Sequence, residues 1–166
     1  MKKRTQLTLF VDPSVSEPME RIRREFNPAQ FALIKSHVTL CREDELEDLE
    51  RVIRNLKNLK HDCITIEFGD PIRFSEGKGV LLPAMGGLAD FQKLRKNILH
   101  GLVENPRKSE PHITLLHPRN ATCTDEIFSQ IQQTDFPRRI EFCNISLIEQ
   151  EAGEAWWVLE EFGSQG

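Results

Sequence analysis

His37-Val38-Thr39-Leu40 and, seventy-five positions later, Pro111-His112-Ile113-Thr114-Leu115 are the stretches from which the rest of this 166-residue chain is best read. Each sets a histidine, a β-branched residue, a threonine and a leucine in a row. Successive side chains of an extended strand point to opposite faces. His37 and Thr39 therefore share one face and Val38 and Leu40 the other, and the same alternation sorts His112 and Thr114 from Ile113 and Leu115. The expectation is two strands, each with an apolar underside on a core and a His/Thr pair on top.

Working outward, the surroundings of the two stretches also repeat. Gln6 to Val11 alternates as a strand and is closed by Asp12-Pro13. Ser16-Glu17 opens a helix to about Phe26, with Met19, Ile22 and Phe26 at helical spacing, which Asn27-Pro28 breaks. After a short connection, Lys35 to Arg42 is the first motif strand. Glu43 to about Lys60 reads as one long helix with an acidic start, and Cys63 to Phe68 as a strand. Ile72–Phe74 and Val80–Pro83 flank a hairpin turn at Glu76-Gly77-Lys78-Gly79. A helix follows from Leu88 to about Val103, then the second motif strand, His112 to Leu116. Thr124 is placed to cap a helix to about Gln133. Arg138 to Glu149 reads as one long strand, Ala155 to Phe162 as the last, and the glycine-rich tail is expected to fray.

Leu9 lies 28 residues before His37 and Leu82 lies 30 before His112; Cys63 follows His37 by 26 and Arg138 follows His112 by 26. Such a repeat of one supersecondary unit predicts packing about a pseudo-twofold axis. The expected fold is α+β and bilobal: duplicated antiparallel-rich sheets with outer helices, meeting at a central groove into which both His/Thr pairs point. One domain spans residues 1–166, with lobe one at about 5–70, lobe two at about 72–162, and room for strand exchange between them.

Composition bounds the rest. A net charge of −4 argues against a protein that coats nucleic acid, but leaves room for local grip on one or two phosphates. Cys41, Cys63, Cys123 and Cys143 form no C-x-x-C pair, so neither a disulfide framework nor a zinc site is expected, and reduced thiols fit a cytoplasmic protein. No apolar run has the length of a membrane span.

Two histidines facing one groove suit paired proton transfer, because an imidazole both gives and takes a proton near neutrality. One takes a proton from the attacking oxygen and the other protonates the leaving oxygen, each transfer contributing on the order of 10²–10⁴-fold. A threonine hydroxyl beside each imidazole suits the non-bridging oxygens of a phosphate held between them. No metal or cofactor is needed for this. With these residues the chain resembles the two-histidine (2H) phosphoesterase superfamily, nearest to its small 2′-5′ RNA ligase-like branch, over roughly residues 5 to 162. The resemblance implies a metal-independent phosphodiesterase that opens 2′,3′-cyclic phosphates, or related cyclic or 2′-5′ linked substrates, to 2′-phosphomonoesters. Some relatives also make 2′-5′ RNA linkages. It further implies His37 and His112 as catalytic groups, Thr39 and Thr114 as phosphate ligands, and a nucleotide or RNA terminus bearing a cyclic phosphate as the partner of a monomer.

One position departs from the pattern. RNA-processing members often have arginine five residues after the second histidine, where this chain has His117, followed by Pro118-Arg119; the equivalent place after His37 holds Arg42. Either Arg42 or Arg119 is the phosphate-neutralising cation, or the substrate differs. Phe10 is a stacking candidate at the groove, as is one of Trp156 and Trp157, the other being expected in the core. Cys41 has the strand parity of His37 and Thr39, which points it toward the groove. Two competing readings stand: a non-catalytic nucleotide or RNA-end binding module, and a metal hydrolase, which lacks supporting ligand spacing.

Overall fold

A computed structural model describes residues 2–164. In chain order it contains β1 (Lys3–Phe10), α1 (Glu17–Phe26), α2 (Pro28–Leu33), β2 (His37–Cys41), a 3-10 turn (Glu43–Glu45), α3 (Leu49–Asn58), β3 (Ile64–Phe68), β4 (Ile72–Phe74) and β5 (Gly79–Gly86). There follow α4 (Leu88–Ile98), β6 (His112–Leu116), α5 (Asp125–Gln132), β7 (Arg139–Phe142), β8 (Asn144–Glu151) and β9 (Trp157–Gly163).

The two halves join edge to edge rather than as separate sheets. All pairings are antiparallel, in the order β7-β3-β5-β6-β2-β1-β8-β9, with β4 hanging on β5 as the hairpin. The order reads the same from either end about the central pair, with β6 answering β2, β5 answering β1, β3 answering β8 and β7 answering β9. Thus β3, from the first half of the sequence, sits among strands of the second, and β8 sits beside β1. Only Cys143 separates β7 from β8, which lie toward opposite ends of the order. Neighbouring Cα atoms are about 3.8 Å apart, so the sheet must curl into a half-barrel for that link to close.

At the centre, Val38 lies opposite Ile113. Val38, Leu40, Ile113 and Leu115 are at most 1% exposed. Burying each stabilises the fold by about 1.5–3 kcal/mol. A one-residue slip would expose all four and bury two imidazoles and two hydroxyls instead, so the register is strongly specified. The helices pack crosswise on this apolar side: α1 against β6, and α4 against β2 and β3. Their stripes (Met19 and Ile22; Val52 and Leu56; Phe91, Leu94 and Ile98) all enter one core.

Several local readings are corrected. The connection after Asn27 contains the short helix α2, started by Pro28, which suits a first helical turn. The helix expected over residues 43–60 is interrupted. The Glu45 carboxylate accepts from the Arg42 amide at 3.0 Å and from Arg95 at 2.6 and 3.0 Å, which holds Glu43–Glu45 in a tight turn. The helix restarts where Asp48 accepts from the Arg51 amide. Residues 99–103 turn away after α4, and the strand expected over 138–149 is two, each edge pairing with a different partner. Thr124 does cap α5, accepting from the Ile127 amide at 3.1 Å.

Three side-chain expectations also change. Cys63 and Cys143 are joined in a disulfide, because the β3–β7 register that sets Ile64 opposite Phe142 brings them face to face next in line. Cys41 is fully buried, and burial pushes its thiol up to about 12. Neither Trp156 nor Trp157 fills the core; Trp157 is exposed on the edge strand β9. As for the tail, Gly163 ends β9 and the Ser164 amide donates to the Cys143 carbonyl, while Gln165 and Gly166 lie outside the described residues.

Gly87 caps the start of α4 at φ +83°, and a Cβ there would lie 2.2 Å from the Thr65 carbonyl oxygen. Gly153, in the β8–β9 turn, has φ +76° with nothing within 4 Å of an added Cβ. Gly153→Ala then bears the left-handed backbone strain alone, about 1 kcal/mol, whereas Gly87→Ala adds a backbone clash and is expected to cost more than about 3 kcal/mol. Urea unfolding of the two variants measures both, and equal losses would contradict this placement of α4.

Candidate active site

The polar face of the central strands floors an open groove of about 790 Å³. His37 and Thr39 from β2, His112 and Thr114 from β6, Gln6 from β1 and Leu81 from β5 all line it. With Val38 opposite Ile113 in an antiparallel pair, His37 lies across from Thr114 and Thr39 across from His112. The four side chains stand at the corners of a rectangle, with the histidines on one diagonal and the threonines on the other. Diagonal neighbours of this type are roughly 7–8 Å apart at Cα, which leaves room for a tetrahedral anion between the rings.

Both imidazoles are held in the same way. Nδ1 of His37 lies 2.7 Å from the Lys35 carbonyl oxygen, and Nδ1 of His112 lies 2.9 Å from that of Glu110. A carbonyl only accepts, so Nδ1 carries the proton and donates, which leaves Nε2 as the reactive atom of each ring. Their electrostatic settings differ. Burial, followed by the positive charges of Arg23 and His112, pushes His37 down to about 4, against an opposing contribution from the Lys35 carbonyl. Thr39 Oγ1 accepts from the Gln6 amide at 3.2 Å. An accepting hydroxyl keeps its own proton to donate to an anion.

Cations gather around the floor. Arg42 and Arg119, both expected candidates, line the groove, as does His117. Arg42 is held loosely, 3.9 Å from Asp44. Among the described residues no carboxylate lies within 4 Å of Arg119. His117 is lowered below the usual imidazole range by burial and by Arg119, and its Nδ1 accepts from the Arg119 amide at 3.1 Å. Phe10 does not line the groove; its ring meets His37 edge-on at 6.1 Å and so fixes the imidazole instead.

Sequence reasoning missed the groups that reach the groove from the first strand, from α2 and from the loop before β6: Arg4, Gln6, Gln30, Arg107 and Lys108; Trp156, one of the two stacking candidates, also lines it. For Arg4 and Gln6 a signal existed, since they share β1 parity with Thr8. Arg107 and Lys108, on a loop, and Gln30, on the short helix α2, had none, because their placement depends on tertiary bonds. Two of these bonds are deeply buried. Arg95, 1% exposed, donates to the Leu40 and Arg107 carbonyls as well as to Glu45, tying the end of β2 to the loop before His112. Asn27, fully buried, accepts from the His117 amide and donates to Asn120, tying α1 and α2 to the loop after β6.

As for metals, the His/Cys/Asp/Glu group compact enough to share an ion among the described residues is Cys63, Glu141 and Cys143, outside the groove lining. Its two sulfurs are joined to one another, so it offers no thiolate.

Comparison with known proteins agrees with this architecture. The model of the 2′-5′ RNA ligase superfamily matches residues 11–154. The crystal structure of E. coli LigT in apo form is similar over the full length of both chains, at 17% identity and a TM-score of 0.70. E. coli LigT complexed with ATP matches 99% of this chain and 98% of its own, at 16% identity and a TM-score of 0.69. A crystal structure described as a phosphoesterase covers 100% of both chains, at 15% identity and a TM-score of 0.66. No match is found among curated proteins. The chain therefore belongs to the 2′-5′ RNA ligase superfamily.

Proposed function

We propose that this protein is a metal-independent phosphodiesterase that opens a 2′,3′-cyclic phosphate on a nucleotide or RNA terminus to the 2′-phosphomonoester. The observation that carries this reading is the diagonal pair of imidazoles, each with Nδ1 committed to a backbone carbonyl and Nε2 left for the groove. The family and the nucleotide complexes of LigT, with ATP and with 3′-AMP, support it.

In this mechanism the cyclic phosphate sits between the rings. Thr39 and Thr114 donate to its non-bridging oxygens, and Arg119, free of carboxylate partners among the described residues, neutralises its charge. His37 is the base. An imidazole pushed down to about 4 is neutral at pH 7 and roughly a thousandth protonated, so it stands in the free-base form, a weaker base than an ordinary imidazole and a poor reservoir of a proton. Its Nε2 takes a proton from water as the oxygen attacks phosphorus. His112 gives its Nε2 proton to the departing 3′-oxygen as the P–O3′ bond breaks, and solvent returns both rings to their starting states. With a 5′-hydroxyl in place of water, the same transfers yield a 2′-5′ linkage, the ligase-like reaction. We place the protein as a monomer in the cytoplasm. The Cys63–Cys143 disulfide lies outside the groove lining.

In EDTA with adenosine 2′,3′-cyclic phosphate, the wild type is expected to yield adenosine 2′-phosphate. His37→Ala and His112→Ala are each expected to lower kcat by about 10²–10⁴-fold. Tight nucleotide binding without turnover across cyclic and 2′-5′ linked substrates would establish the non-catalytic module instead.

The base assignment has its own signature. kcat/KM reports groups of the free enzyme, and activity requires His37 unprotonated, so the depressed value extends the active range toward acid. The acid limb of the profile is expected near pH 4 rather than 6.5. A limb at 6.5 or above would contradict a depressed His37 as the base.

A further inference from the structure

Among the described residues Trp156 is the one large aromatic ring in the groove lining, and it is a fixed one. Its backbone amide donates to the Leu33 carbonyl at 2.9 Å, holding the β8–β9 connection against the end of α2. The Arg4 guanidinium lies over the indole, 5.4 Å from the ring centroid. Arg4 is itself held by two further side chains, donating through Nε to Glu43 at 3.2 Å and through Nη1 to Gln150 at 3.2 Å. Gln150 is nearly buried and donates in turn to the Glu154 carbonyl. A ring and a planar cation stacked in this way, both at the groove, present a rigid π-surface that has already been ordered before any ligand arrives.

Its position relative to the histidines gives it a purpose. Arg4, Gln6 and Thr8 lie on one face of β1, and Gln6 is bonded to Thr39 beside the phosphate site. Arg4 is one strand repeat further along, about 7 Å, which is the reach of a ribose with its base. Ile34 supplies apolar surface to the lining nearby. Gln30, whose carbonyl oxygen is occupied by Asn120, keeps its amide NH₂ for a polar base edge. Single-stranded nucleic acid is held in this way, by stacking of bases on aromatic rings and guanidinium planes.

We infer that the Trp156–Arg4 stack is a nucleobase shelf, and that it restricts the substrate of the proposed phosphodiesterase to cyclic phosphates carrying a base. This rests on the proposed reaction for its kinetic readout but not for its binding readout. Stacking is worth about 1–3 kcal/mol per base.

The test compares adenosine 2′,3′-cyclic phosphate with methyl riboside 2′,3′-cyclic phosphate, which has no base. Trp156→Ala is expected to lower the ratio of kcat/KM for the first over the second about tenfold, Trp156→Phe to restore most of it, and Trp157→Ala to leave it unaltered. In parallel, adenosine 2′-phosphate is titrated into a Trp157→Phe variant, whose only tryptophan is Trp156, and indole fluorescence is expected to be quenched on binding. A ratio unchanged by Trp156→Ala, or binding without quenching, would overturn the shelf. Quenching in a protein that turns over neither substrate would keep the shelf and sink the phosphodiesterase.

Discussion

The pairing of β2 with β6, with Val38 set opposite Ile113, is the constraint on which the rest of this structure depends. It puts four branched side chains into the core and, by the two-residue period of a strand, two histidines and two threonines onto the other side. Core formation and site formation are thus one event. The same register makes the site pseudo-symmetric, since each imidazole lies across from the threonine of the other motif. The joint between the halves is also the floor of the candidate site, which is why neither half carries that site alone.

Symmetry of the floor does not extend to its surroundings. Arg23 and Arg95 are both buried, on α1 and α4; Arg23 donates to the Ile34 carbonyl at the end of α2, and Arg95 to the Leu40 carbonyl near the end of β2. Arg95 has Glu45 as a forked partner, and removing one member of a buried ion pair costs about 3–5 kcal/mol, so the loops bearing Arg42 and Arg107 are firmly seated. On the other side Arg23 adds positive charge near His37. Chemically equivalent motifs therefore sit in different surroundings, and burial with this added charge lowers the proton affinity of His37.

How much of this was legible in the sequence follows from the range of the forces involved. The duplicated His-x-Thr-Leu strands, the apolar stripes of the helices and the Thr124 cap are local patterns, and they read correctly. The break at residues 46–48 was hidden because Glu45 is drawn away by Arg95, fifty residues distant in the chain. The division of residues 138–149 at Cys143 was hidden because alternation is the same whichever edge a strand joins. Parity put Cys41 in the groove, but a bulge in the β1–β2 pairing and contact with the core bury it. Trp156 could be named as a stacking candidate but not chosen over Trp157, since its position is set by a bond to Leu33 across the fold.

The claim beneath all of this is that one phosphate is gripped by four side chains from two paired strands. A crystal structure with adenosine 2′-phosphate, the product of the proposed reaction, tests it most directly. The account predicts the phosphate within hydrogen-bond distance of Nε2 of His37 and His112 and of Oγ1 of Thr39 and Thr114. A phosphate seated away from this diagonal, or reached by only one of the two imidazoles, would contradict it.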